Sequence, residues 1–153
     1  MIRLEKATRP IKELIWHCTA TPAGRNVTVD QIRQWHKERG WQDIGYHYVV
    51  MLDGTVFSGR PINTVGAHVA GHNSGTIGAV YVGGVDADFL GAADTRTPAQ
   101  KKAMLELTKA LNRLYSFKRI SGHNEYAPKA CPSFKVTDDP LGNIPGFVKG
   151  RKV

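Results

Sequence analysis

The run Gly122-His123-Asn124-Glu125-Tyr126-Ala127-Pro128-Lys129-Ala130-Cys131-Pro132 places an imidazole, an amine and a thiol within nine positions. His and Cys are borderline-to-soft metal ligands, and a neighbouring lysine is a cation that can stabilise developing negative charge. A further candidate ligand stands far upstream. His17 ends a short apolar run, Leu14-Ile15-Trp16-His17-Cys18-Thr19-Ala20-Thr21, that reads as a strand. A His from a strand end, joined by a His and a Cys from one distant loop, gives three protein ligands and an open fourth position. That open position separates a catalytic zinc from a structural one. Taken alone, Cys131 reads as a buried small side chain, the usual state of a lone cysteine.

The elements that must position these groups alternate along the chain. Glu13–Cys18 reads as a first strand, whose alternation sends His17 and Cys18 to opposite faces. If His17 faces a cleft, Cys18 faces the core. A helix is expected over Val29–Arg39, with Thr28 as N-cap, Gln31 three residues on and Gly40 as its stop. Tyr46–Leu52, Asp53-Gly54 and Thr55–Ser58 form a hairpin signal. A long Gly-, Asn- and His-rich loop runs from Gly59 to Gly75, and Ile77–Val82 has the unbroken apolar run of a central strand. Thr97-Pro98-Ala99-Gln100 opens a second capped helix running to about Leu114. A short strand near Arg119–Ser121 then delivers His123. The tail from Thr137, with three cationic residues in Lys149–Lys152, reads as irregular and frayed. The expectation is one α/β (mixed) domain over 1–153, with a core at about 12–136, a central mixed sheet and flanking helices.

At 153 residues the chain is long enough for one self-sufficient core. Its 41% hydrophobic and 22% charged content is ordinary for a globular protein, whereas a net charge of +8 is not. Such a charge suits nucleic acid, an anionic membrane or anionic cell-wall polymers, or is simply a solubilising surface. No block of five or six cations reads as a nucleic-acid arm. Residues 1–13 lack a secretory apolar region and no run has transmembrane length, so synthesis in the cytosol without a signal peptide is expected. A reducing compartment leaves Cys18 and Cys131 as free thiols.

Several ordered blocks resemble phage N-acetylmuramoyl-L-alanine amidases. They are Trp16-His17-Cys18-Thr19-Ala20-Thr21, Ile32-Arg33-Gln34-Trp35-His36-Lys37-Glu38 with Gly40-Trp41, and Asp43-Ile44-Gly45-Tyr46-His47-Tyr48. Asp53-Gly54-Thr55-Val56, Gly66-Ala67-His68, Asn73-Ser74-Gly75-Thr76-Ile77-Gly78 and His123 through Phe134 continue the pattern. The resemblance covers about residues 14–135 and is nearest to the zinc amidases of T-odd coliphages; the wider group includes animal peptidoglycan recognition proteins.

Carried over position by position, the resemblance implies one Zn2+ on His17, His123 and Cys131, with Tyr46 and Lys129 as catalytic groups. The implied reaction is hydrolysis of the amide between N-acetylmuramic acid and L-alanine in bacterial peptidoglycan, as an endolysin performs it. Lys129 is then the candidate for stabilising an oxyanion. With a pKa of about 10, a tyrosine is a poor base at neutral pH, so Tyr46 is expected to orient rather than abstract. His68 and Asn73 are candidates for substrate contact, against a structural His and a turn-making Asn. His47 is expected to pack in the core, His36 and His72 to be structural or exposed, and Glu125 to hold the His123 loop as an acceptor.

Two alternatives follow from the same resemblance. One is a peptidoglycan-binding module without catalysis, which would lack the cysteine ligand. The other is a regulator that binds its own phage's RNA polymerase. A third, a basic nucleic-acid binder, rests on charge alone; direct nucleic-acid binding and a membrane span are not expected, and a monomer is. Lys135–Val153 departs from the phage pattern through Pro140, Gly142, Pro145, Gly146 and Gly150, so no role of that tail is carried over.

Overall fold

A computed structural model describes residues 2–147. In chain order the elements are β1 (Glu13–Cys18), β2 (Thr21–Pro22), α1 (Val29–Glu38), β3 (Tyr48–Val50), β4 (Val56–Ser58), β5 (Thr76–Tyr81), β6 (Gly84–Val85), α2 (Pro98–Tyr115) and β7 (Arg119–Gly122). Five strands form one sheet in the order β4-β3-β5-β1-β7. The β3–β4 hairpin is antiparallel and the other pairings are parallel, so the sheet is mixed, as expected. β2 and β6 pair separately as a short parallel ribbon beyond β1 and β5.

Alternation along the strands divides the core into two layers. Leu14, Trp16 and Cys18 of β1 join Ile77, Ala79 and Tyr81 of β5 against Met104, Leu107 and Leu111 of α2. On the opposite face Val49 and Val80 pack with Ile32 of α1. Cys18 therefore sits in the α2 layer, and His17 points to the α1 side. β1 lies between two parallel neighbours and is buried along its whole length, which fixes His17 on a rigid element.

Both helices begin with a capping box, Thr28 with Gln31 and Thr97 with Gln100. Gln100 is fully buried and also ties α2 to the sheet. Its Oε1 accepts the Thr97 N–H at 3.0 Å, and its Nε2 donates to the Val82 carbonyl at 2.9 Å. After α1, Gly40 takes φ +91°, the left-handed conformation that a helix stop favours.

The tail corrects the sequence expectation over 137–147. Two 3-10 turns, Val136–Asp138 and Pro140–Asn143, lay Val136, Leu141 and Ile144 into the α2 layer. Asp139 anchors the second turn by accepting the Leu141 N–H at 3.1 Å, and it pairs with Arg96 at 2.7 Å. The cationic stretch Lys149–Lys152 lies outside the described residues. Among those residues no helix is long and apolar enough to cross a membrane.

Candidate metal centre and cleft

Strand register brings the two histidines together. In the parallel β1–β7 pair, Trp16 stands opposite Gly122, so His17 on β1 and His123, which opens a 3-10 turn just past the end of β7, are the next residues along. Their ring centroids lie 4.8 Å apart. The site opens at the carboxyl ends of parallel strands, where loops rather than ladder partners surround the backbone. The loop after His123 then folds back over β1. Tyr81 Oη donates to the Pro132 carbonyl at 2.6 Å, Ser133 Oγ to the Gly84 carbonyl at 2.8 Å, and the Cys18 N–H to Cys131 Sγ at 3.2 Å.

One ligand atom from each of His17, His123 and Cys131 lies within 4.8 Å of the others. His17 Nδ1 is 3.8 Å from Cys131 Sγ. Tetrahedral zinc bonds put ligand atoms roughly 3.5 Å apart, a spacing within side-chain adjustment of this one. Two imidazoles and a thiol suit zinc, whereas calcium and magnesium seek oxygen donors. Burial, reinforced by His68, His123 and Lys129, holds His17 well below its usual pKa, so it is a neutral donor. Burial and then Lys129 lower His123 as well. Contact with the Cys18 thiol, followed by burial, pushes the Cys131 thiol up. A divalent cation held beside it would supply the charge that a thiolate needs.

A cleft of about 620 Å³ runs past the triad. Arg39 and Lys129 line it, and no acidic side chain is among its described lining residues. Tyr46 faces it with its ring 5.0 Å from that of His17. Burial, then the Cys131 and Cys18 sulfurs, raise the Tyr46 phenol, so it stays protonated. His36 supports Tyr46 from behind, ring to ring at 5.3 Å, while its Nδ1 accepts the Gly45 N–H at 2.7 Å. Burial lowers His36 to about 4, which keeps that nitrogen an acceptor. Lys129 is exposed on the loop two residues before Cys131.

His68 and Asn73 both reach the cleft wall, yet their polar atoms are engaged within the protein. His68 is 8% exposed, with Nδ1 2.9 Å from His17 Nε2 and Nε2 3.1 Å from Thr76 Oγ1. Burial first, then nearby His47, pushes its pKa down to about 3. Asn73 Oδ1 accepts the His68 and Val69 N–H groups at 2.8 and 2.9 Å, closing the loop. His47 is buried, with Nδ1 accepting the Gly78 N–H at 3.1 Å, and the exposed His72 ring lies against Tyr126, tilted, with centroids 4.1 Å apart. Glu125 accepts from the Gly122 N–H at 2.7 Å and Arg119 at 3.0 Å, outside the cleft lining.

Two supporting groups escape a reading of the sequence. Thr76 lies behind His68. Buried Glu13 accepts from Ser121 Oγ and Tyr126 Oη, both at 2.5 Å, and so fixes Tyr126 in the cleft wall. The available signal for Glu13 is an acidic residue opening an otherwise apolar strand.

Residues 7–139 match the family model described as N-acetylmuramoyl-L-alanine amidase. The chain is 47% identical over 124 residues to the endolysin of Klebsiella phage KP32, covering 81% of this chain and 82% of that relative. It is 44% identical over 138 residues to the endolysin of Escherichia phage T7, covering 89% and 90%. Among solved structures it resembles N-acetylmuramoyl-L-alanine amidase LysC from Clostridium intestinale URNW, with TM-score 0.74, 27% identity and coverage of 92% and 91%.

Proposed function

Because this chain belongs to the N-acetylmuramoyl-L-alanine amidase family, and is such an amidase of the phage endolysin type, we propose which of its residues perform the hydrolysis. His17, His123 and Cys131 hold one zinc ion, while Tyr46 and Lys129 act on the scissile amide. The observation that carries this reading is the convergence of three ligand atoms, from sequence-remote segments, within 4.8 Å. Bound there, zinc supplies a Lewis acid that acidifies water and polarises a carbonyl.

The protein's own groups do the rest. The reaction breaks the C–N bond between the lactyl carbonyl and the alanine nitrogen; water's oxygen goes to the carbonyl carbon, and the amine leaves with a proton. Charge develops on the carbonyl oxygen, and the Lys129 ammonium at the cleft edge is the side chain that meets it. Tyr46, held as a neutral phenol, donates a hydrogen bond there or to the attacking water. The acid-free cleft, with Arg39 and Lys129 on its walls, favours a carboxylate-bearing muramyl peptide over a cationic ligand. Asn73 and His68 shape this wall by holding the loop that carries them. Made in the host cytoplasm, the protein acts on the cell wall after its release from that compartment.

A binding-only module needs no thiol ligand, so Cys131 at the convergence point favours catalysis. No observation favours the polymerase-binding alternative.

Zinc content and digestion of purified cell walls test the assignment together. The purified protein is expected to hold about one zinc per chain. Cys131→Ala should lose metal and activity together, whereas Lys129→Ala should keep its metal and lose turnover. Normal wall digestion by Lys129→Ala would remove the oxyanion role from that lysine.

A further inference from the structure

We propose that Thr76, acting through His68, sets the tautomer of His17, so that His17 turns its Nδ1 lone pair toward His123 and Cys131. This inference rests on the metal reading above for its purpose but not for its derivation. Three buried side chains form a hydrogen-bonded line: His17 Nε2 to His68 Nδ1 at 2.9 Å, and His68 Nε2 to Thr76 Oγ1 at 3.1 Å. The line ends on two carbonyls, with Thr76 Oγ1 2.9 Å from the His72 oxygen and 3.0 Å from the Asn73 oxygen.

The far end dictates the direction of every bond. Carbonyl oxygens only accept, and a hydroxyl has one proton. At those distances the Thr76 proton must point to a carbonyl, since otherwise two sets of lone pairs face each other. The hydroxyl therefore meets His68 with a lone pair, and His68 Nε2 carries hydrogen. A neutral imidazole has a single N–H, so His68 Nδ1 is the acceptor, and the proton between the two rings belongs to His17 Nε2. His17 Nδ1, 3.8 Å from Cys131 Sγ, is left unprotonated, with its lone pair on that side.

The ring that relays this choice is held in place by glycines. A Cβ on Gly78 would lie 2.5 Å from His68 Cγ, and one on Gly66 would lie 2.9 Å from His68 Cδ2. Asn73 fixes the His68 backbone from the other side at 2.8 Å. The 66–76 loop thus serves as a clamp for one imidazole, and Thr76 and His68 are positioning residues rather than catalytic ones.

Imidazole 15N shifts of metal-free protein at neutral pH read the tautomers directly, and chelator competition reads zinc affinity. Wild type should carry hydrogen on Nε2 of both His17 and His68. Thr76→Ser should preserve both readings. Thr76→Val should mix the His68 tautomers and weaken zinc about 10- to 100-fold, the usual effect of losing an outer partner of a metal-bound histidine. Wild-type His17 protonated on Nδ1 would overturn the proposal, as would a folded Thr76→Val that keeps wild-type tautomers and affinity. If Thr76→Val fails to fold, the wild-type spectrum still decides. Wild-type protein that has these tautomers but takes up no zinc would sink the metal reading and leave this one standing.

Discussion

Tyr46 is the residue whose chemistry is most constrained by its surroundings. A phenol raised by burial and by two neighbouring sulfurs stays protonated wherever the enzyme works, so it can give a hydrogen bond and cannot take a proton. Tyr46→Phe should therefore lower kcat about 10²-fold, the effect of removing one donor to a developing charge, and leave zinc content unchanged. The wild-type pH–rate profile should show no limb from this tyrosine below about pH 10. An unaltered kcat in Tyr46→Phe would reduce Tyr46 to packing. His123, Lys129 and Cys131 were legible in the sequence because an imidazole, an amine and a thiol in one short segment are uncommon and chemically pointed, whereas Tyr46 stood out only through the family resemblance. Thr76 was not legible. A threonine opening a strand is an ordinary β-former, and its hydroxyl acquires a role only once the 66–76 loop has folded back to bring His68 against it.

At the scale of elements, capping residues and alternation carry most of the information. Thr28 with Gln31 and Thr97 with Gln100 mark the helix starts, and the apolar runs at Glu13–Cys18 and Thr76–Tyr81 become the central strands. The β2–β6 ribbon escapes this reading because two-residue strands have no period. The ordered tail escapes it because Pro and Gly read as breakers. What orders that segment is Arg96, 43 residues from Asp139 and packed over the Phe134 ring at 3.6 Å. Gln100 shows how much one buried cap can hold. Gln100→Leu strands the Thr97 N–H and the Val82 carbonyl, which should cost about 1–3 kcal/mol in urea unfolding. Zinc affinity should be unchanged, since α2 lies on the face of the sheet opposite His17. A variant as stable as wild type would mean that water or a neighbour satisfies both groups.

For the whole molecule, the buried imidazoles set how it responds to acid. Burial is the main cause that lowers both His36 and His47 to about 4, against about 6.5 in an unfolded chain. In each, a ring nitrogen accepts a backbone N–H, from Gly45 and Gly78 respectively, so protonation would put hydrogen against hydrogen. The sign follows from proton counting. Between pH 6.5 and 4 the unfolded chain binds protons that the folded one does not, so acid draws the equilibrium toward unfolding. Each histidine contributes fully above about pH 6.5, and its contribution falls by up to ~1.4 kcal/mol per pH unit as the medium is acidified toward 4. The arginine-paired carboxylates Asp43 and Asp94 are lowered from 3.8, so their contribution is lost only at still lower pH and does not blur this window. Chelator-treated protein, in which loss of metal plays no part, should show a denaturation midpoint that drops steadily from neutral pH to about pH 4. A midpoint that stays level or rises across that interval would mean that the imidazoles, His36 and His47 with buried His17 and His68 and half-buried His123, take up protons while the chain remains folded.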